Sequence, residues 1–524
     1  MKKPEGFIVS CQNPEKRKAL FSWGLFGIVL LGIAGFILLS GLTAYPVPYT
    51  DGVCYLIPSI NLKAGHGFVN QVIDYSYLYD TTGKAKFNYY VPLFFLTLAA
   101  MIRHPHPVDT LAAIALINLA SLFLSAYLFY RAARWKQPLR LFSAGLMSLC
   151  LLGLATSFPG HYGCRPEILA TFVFVCGASW LLKFKTEKPW IVLGICLGLM
   201  AASYPPGSIV FGIGIGLYYS LTRKTKSVIL FMALTCGIAL AVFFLVLGCS
   251  PYGISETLSA CLKHIKNERA VSVRQLIRWG RIFFYPTGTF YASMILLAIG
   301  VFVDLLRIHW SKVASKTLTV LGMACFFFAV NSLTIKFGGR RTAPLYLFSP
   351  AFFVILIYRM THPPIQNRWW KWLMIFLVAL CCAGFVRSAL LYPFYEKEGV
   401  KLEQARQIFS GFVKQKVFEH RILGISESMW VLSEDYDRMV ICQGWTGRCD
   451  LKNENLVIFW QQQASGWGEQ APEIHLGFKK IWDNFVPSEP RIFGIKLAHT
   501  IPGYAFAIYV PPDQYESFKQ QLSF

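Results

Sequence analysis

Long unbroken apolar runs dominate the first 392 residues of this 524-residue chain, in place of the alternation or three-to-four spacing of a soluble core. A helix that crosses a bilayer needs about 20 apolar residues, with about 17–25 the usual range. Runs that meet or approach this length fall at 20–44, 110–130, 141–158, 167–182, 190–204, 206–221, 227–249, 289–307, 317–335, 343–358 and 370–391. They predict about eleven transmembrane helices. The run Val91–Ile102 has only about twelve apolar residues, which suits an interfacial or re-entrant helix better than a span. Beyond residue 392 the pattern changes. An amphipathic helix is expected at about 400–418, and strands at Met439–Cys442, Asn455–Trp460 and Ala505–Val510. The expected fold is a polytopic α-helical membrane domain over 1–392, with a first outer loop at 45–109, followed by a small α/β domain over 393–524.

Composition agrees with a membrane protein, at 55% hydrophobic and 15% charged residues. The net charge of +23 is unevenly placed. Residues 1–392 carry 36 Lys+Arg against 11 Asp+Glu, and residues 393–524 carry 14 against 16. The basicity therefore belongs to the membrane part, which argues against a nucleic-acid partner. The positive-inside rule then orients the chain. With a cytoplasmic N-terminus, the inner segments hold Lys2, Lys3, Lys16–Lys18, then Arg131, Arg134, Lys136 and Arg140, then Lys183, Lys185 and Lys188. They continue with Arg223, Lys224 and Lys226, then Arg307, Lys312 and Lys316, then Arg359, Arg368 and Lys371. Making 91–102 a span would invert everything after it. An odd number of spans places the C-terminal domain outside, so a multi-pass protein of the plasma (inner) membrane is expected. The apolar run near the N-terminus reads as a retained anchor. Cys442 and Cys449 lie in a Gly-rich outer segment, where they could close a small disulfide.

On this topology the outer segments collect the residues with candidate chemistry. The first loop holds Asp51, His66, Asp74, Asp80, Lys84 and Lys86, and the second ends in Arg165-Pro-Glu167. The stretch 250–288 carries Lys263, Lys266, Arg269, Arg274, Arg278 and Arg281 against Glu256 and Glu268, and the next outer segment holds Lys336, Arg340 and Arg341. Outer loops are ordinarily poor in cations, so this excess asks for an anionic partner: lipid headgroups, or the phosphate of a lipid-linked donor. Beside Gly338-Gly339 at the mouth of a span, Arg340 and Arg341 favour the phosphate. A carboxylate entering a membrane, as Glu167 does, is costly unless it is paired or functional. Thr50-Asp51 reads equally as a helix N-cap, and a cap can also serve as a base.

The order Thr50-Asp51-Gly-x-x-Tyr55, then Leu62-Lys-Ala-Gly65-x-Gly67-Phe68, then Tyr89-Tyr-Val-Pro92-Leu93 resembles the first outer loop of GT-C glycosyltransferases. Within that superfamily it is most similar to the branch of protein O-mannosyltransferases and lipid A aminoarabinose transferases. The resemblance covers about residues 20–185, and includes a second acid opening the fourth span, where Glu167 stands. It departs at Gly52, which replaces the family's acid after the Asp, at Val91-Pro92 in place of Pro-Pro, and at Arg340-Arg341-Thr in place of Arg-Tyr.

The resemblance implies an inverting transferase that takes a sugar from a polyprenyl-phosphate donor to a hydroxyl of a lipid, glycan or protein on the extracytoplasmic face. Asp51 would be the base, with Glu167 orienting base or acceptor. Lys86, Arg340 and Arg341 would stabilise the leaving phosphate. No cofactor is expected, and no DxD or His cluster argues for a metal. The alternative is a transporter or flippase of lipid-linked sugars, which would want midplane charges and internal repeats. Few such charges and no repeat are found.

Overall fold

The computed structural model describes residues 14–45, 51–69, 90–132, 166, 169–170, 172–173, 176–177, 180, 188–222, 225–267, 389–425, 439–441, 456–461, 477–485, 488–498, 501 and 503–522. The expected spans at 141–158, 289–307, 317–335 and 343–358, and nearly all of 370–391, lie outside the described residues. The remaining apolar runs are helical. They form α1 (Pro14–Thr43), α4 (Pro107–Ala132), α5 (Pro189–Ser203), α6 (Pro205–Thr222) and α7 (Thr225–Gly248), while the described residues between 169 and 180 are also helical. Between α1 and α4 come two shorter helices, α2 (Asp51–Ala64) and α3 (Leu93–Met101), and α8 (Gly253–Asn267) follows α7.

Among the described residues, Lys226–Gly248 is long and apolar enough to cross a membrane. Only 11% of its most apolar stretch is buried, which separates it from the core helix of a soluble protein. Ile229, Leu245, Ile28, Leu31 and Leu42 are each more than half exposed, so apolar helix surface faces outward on both α7 and α1. Proline sets the breaks. Pro189 and Pro205 open α5 and α6, where a missing N–H costs no helical hydrogen bond.

Small residues let these helices approach closely. A Cβ at Gly194 would lie 2.8 Å from the Thr235 carbonyl oxygen, and one at Gly198 only 2.6 Å from that of Ala239, so α5 lies directly against α7. On α1, a Cβ at Gly41 would lie 2.6 Å from the Ala115 Cβ of α4. A hydrogen bond of 2.9 Å between the Tyr219 and Thr235 hydroxyls joins α6 to α7.

The segment expected to hug the membrane behaves differently. At about 1.5 Å per residue, the nine residues of α3 reach roughly 14 Å, under half of a hydrocarbon core of about 30 Å. Phe94, Phe95 and Leu98 are fully buried in protein, packed with Leu56, Ile57 and Ile60 of α2 and Ile114 of α4. The helix is too short to span, and protein surrounds its apolar residues Phe94, Phe95 and Leu98.

Residues 389–398 are helical and lead into α9 (Leu402–Val413), a shorter helix than the 400–418 expected, with a 3-10 turn at Lys416–Phe418. Among the described residues seven strands follow: β1 (Ile422–Ile425), β2 (Met439–Ile441), β3 (Leu456–Gln461), β4 (Lys479–Asp483), β5 (Arg491–Ile492), β6 (Ile495–Lys496) and β7 (Phe506–Val510). A last helix, α10 (Tyr515–Gln521), ends the described chain. Five strands make a mixed sheet in the order β2-β1-β3-β7-β4, and β5 and β6 pair as a separate hairpin. The pleat of β3 sends Val457 and Phe459 towards Phe409 of α9, and Leu456, Ile458 and Trp460 to the opposite face with Phe478 and Tyr509. Both faces are thus covered, which explains near-continuous apolar strands rather than alternating ones. The buried cluster on the α9 side continues without a break into α2, α3 and α4.

Candidate functional site

Asp51 is the first residue of α2. The first N–H groups of a helix have no partner within it, and the helix dipole places positive potential there, so this position complements a carboxylate. Glu167, Lys86, Arg340 and Arg341 lie outside the described residues, as do Cys442 and Cys449. Asp51 is therefore the one predicted site residue whose place in the fold is described.

Contacts hold the chain at Thr43–Tyr45, upstream of α2, and at the far end of α2. Just upstream, α1 stops at Thr43 and Ala44 turns the chain with φ 52°, a left-handed value that costs a residue with a Cβ about 1–2 kcal/mol. Two tyrosines from the far end of the chain hold this turn. The buried Tyr504 hydroxyl donates to the Ala44 carbonyl at 2.6 Å, and the Tyr395 hydroxyl donates to that of Thr43 at 3.3 Å. Tyr395 also stacks on Tyr45 at 4.6 Å between ring centroids. Burial pushes the Tyr395 phenol above its ordinary value, so it stays a protonated donor. Nearby, a hydrogen bond from Lys401 holds Glu396 below the usual carboxylate range.

At its other end α2 closes with a Schellman cap. Gly65 sits at φ 82° while its N–H reaches Leu62 O at 3.3 Å and the His66 N–H reaches Asn61 O at 3.0 Å. The buried Asn61 side chain donates to Val69 O at 2.9 Å, drawing the returning chain back against the helix. Phe68 then packs edge-on against Phe95 of α3, and the Tyr252 hydroxyl, from the link between α7 and α8, donates to the Phe68 carbonyl.

One helical turn beyond Asp51, and so on the same face of α2, stands Tyr55. Its hydroxyl donates to that of Tyr90 at 2.8 Å, and Tyr90 lies only partly buried at the entrance to α3. Sequence reasoning named neither as a site residue. The signal was weak, since the partners are 35 residues apart and each is one of several loop tyrosines. Other loop polars have structural work: Asp109 accepts from the His104 N–H at 2.8 Å in the first turn of α4. His66 and Lys63 are exposed.

Chemically, this end of the molecule offers a helix N-terminus opened by an acid and, one turn away, a pair of phenol hydroxyls able to hydrogen-bond a polar substrate. Burial pushes the Cys261 thiol of α8 up to about 12, which removes it as a nucleophile at neutral pH. Among the described residues no group of His, Cys, Asp or Glu is placed to hold a metal.

No protein-family profile matches the sequence, and no curated protein does. Solved structures do. The chain is similar to ArnT from Cupriavidus metallidurans bound to undecaprenyl phosphate, at 12% identity and TM-score 0.49 over 92% of this chain and 97% of that one. It is also similar to the apo oligosaccharyltransferase of Archaeoglobus fulgidus, at 12% identity and TM-score 0.46 over 80% of this chain and 65% of that one. A third is AglB from the same organism in complex with an inhibitory peptide and a dolichol-phosphate, at 10% identity and TM-score 0.47 over 84% and 70%.

Proposed function

We propose that the chain is an integral membrane glycosyltransferase that moves a sugar from a polyprenyl-phosphate donor to a hydroxyl acceptor on the extracytoplasmic face. The observation that supports this reading is the position of Asp51: it opens a helix capped at its far end, eight residues after the end of a long, outwardly apolar helix. A lipid-linked donor would lie with its tail along such helices and its phosphate where they end.

In the reaction the bond from the anomeric carbon to the donor phosphate breaks and a bond to the acceptor oxygen forms on the opposite face, inverting the centre. The acceptor hydroxyl is a poor nucleophile until its proton leaves, and Asp51 takes that proton as the new bond forms. Glu167 orients the acceptor or the base. Polyprenyl phosphate departs with the bonding electrons, and Lys86, Arg340 and Arg341 compensate its growing charge. The Tyr55–Tyr90 pair lies on the Asp51 face of α2 and provides hydrogen bonds to sugar or acceptor hydroxyls.

On this reading the 1–392 region forms the catalytic membrane domain with about eleven helices and a cytoplasmic N-terminus. The 393–524 region is then extracytoplasmic. The test is Asp51→Asn in the full chain. Transfer from a polyprenyl-phosphate sugar should fall by about 10²–10⁴-fold, the range for loss of a general base, while membrane insertion is retained. Unchanged transfer by the inserted variant would remove Asp51 from the mechanism. Mass spectrometry of envelope lipids and glycans, with and without the gene, would identify sugar and acceptor.

A further inference from the structure

Among the described residues of the C-terminal region, the hairpin β5–β6 is the part that presents large apolar side chains to solvent. Phe493 is 100% exposed at its tip and Ile495 69% exposed beside it. The turn is a two-residue one, with Arg491 opposite Lys496 and Ile492 opposite Ile495. Such turns need positive φ at both central positions, which favours Asn-Gly. Here the pair is Phe493 at φ 49° and Gly494 at φ 78°. A bulky ring thus occupies a left-handed position that Asn or Gly would fill with less strain, and nothing in the fold packs on it.

The hairpin is built and two-faced. Arg491 and Lys496 face each other across the strands, a repulsive pairing by itself, and the Glu489 carboxylate bridges them with ion pairs to both. Ile492 and Ile495 form the other face. The Leu497 N–H closes the base on the Pro490 carbonyl at 2.9 Å. Immediately after β6, Leu497 and Ala498 pack against the buried cluster formed by Phe36 of α1, Tyr45, and Leu391 and Tyr395 of the 389–398 helix. That is the end of α1 where Leu38, Leu39 and Leu42 face outward, and where Tyr45, Tyr392 and Tyr395 form an aromatic cluster.

We infer that the β5–β6 hairpin is a membrane-surface anchor, with Phe493 and Ile495 inserted in the outer-leaflet interface and Arg491 and Lys496 at headgroup level. Continuity with the exposed leucines of α1 identifies the occupant of this apolar tip as lipid rather than a protein partner. The inference rests on the membrane reading above and adds to it a second attachment, one that ties the sheet domain to the bilayer independently of the helices.

The test uses the full-length chain with p-benzoylphenylalanine in place of Phe493, reconstituted in vesicles of phosphatidylethanolamine and phosphatidylglycerol and irradiated. The added benzoyl group extends from an exposed ring, so the fold is not challenged. Parallel samples carry the probe at Leu245, 71% exposed on α7, and at Asp513, exposed in the 3-10 turn after β7. Phospholipid adducts at 493 and 245 with none at 513 are expected. Adducts at 245 without adducts at 493, or protein cross-links at 493 in their place, overturn the anchor and leave the membrane reading standing. Loss of lipid adducts at both 245 and 493 overturns the membrane reading and the anchor with it.

Discussion

The contact between α1 and α4 can be tested by exchanging one methyl group across it. A Cβ at Gly41 would lie 2.6 Å from the Ala115 Cβ, 3.3 Å from the Ala112 Cα and 3.4 Å from the Leu111 carbonyl oxygen. Carbon atoms in good contact sit about 3.5–4.0 Å apart, so Gly41→Ala forces the helices about 1 Å apart at this point. Overpacking of this kind costs about 1–3 kcal/mol, offset by about 1 kcal/mol from the better helix propensity of Ala. Ala115→Gly alone loses about 1 kcal/mol of propensity and opens a small void. In the double variant the propensities cancel. The 2.6 Å clash is gone, and the two remaining contacts ask for shifts of only a few tenths of an ångström. Its stability should therefore return to within about 1 kcal/mol of the parent, a favourable coupling of about 1–3 kcal/mol. Unfolding of the four proteins by SDS titration from mild detergent measures that cycle. Effects that add to within about 0.5 kcal/mol would show that Gly41 and Ala115 do not meet.

Two further outcomes follow from the junction and the hairpin. Tyr504→Phe leaves the buried Ala44 carbonyl without its donor, at a cost of about 1–3 kcal/mol, and should speed hydrogen exchange over residues 40–45 relative to the parent; unchanged protection there would contradict the clamp. Glu489 is held down to about 2 from its ordinary 4.5, chiefly by the Arg491 hydrogen bond and then by Lys496. A folded-state value below the unfolded one means that the bridge's contribution is fully present above about pH 5 and is lost as the pH falls towards 2. Protection across 491–497, taken against the intrinsic exchange rate at each pH, should fall over that window in the parent, and Glu489→Gln should flatten the dependence.

Helix positions in the membrane part were legible because each apolar run is itself the signal. The runs at 110–130, 190–204, 206–221 and 227–249 became Pro107–Ala132, Pro189–Ser203, Pro205–Thr222 and Thr225–Gly248, with proline opening three of the four. What such a run cannot report is which apolar medium surrounds it. Val91–Ile102 looked interfacial because lipid and protein interior demand the same residues, and only the fold shows Phe94 and Phe95 inside protein. In the C-terminal region the strands read at 439–442, 455–460 and 505–510 are present, and burial on both faces made the latter two apolar. β1 and β4 were missed. Ile422–Ile425 is four residues long with a glycine, and Lys479–Asp483 is a sheet edge with a mostly polar face. The place of Asp51 was readable from Thr50-Asp51 ahead of an apolar run. The Tyr55–Tyr90 pair and the Tyr504 clamp were not, because spacing along a chain carries no trace of contacts 35 or 460 residues long.

The hydrogen bond from Tyr504 to Ala44 has a consequence in time as well as in space. It joins positions 460 residues apart, so the turn that leads into α2 cannot close on its donor until almost the whole described chain has been synthesised and β7 has entered the sheet. Until then the chain leaving α1 lacks this restraint. A nascent or truncated protein that has formed every earlier helix would still carry an unfinished turn after α1, and the arrival of Tyr504 would be the event that sets it in place.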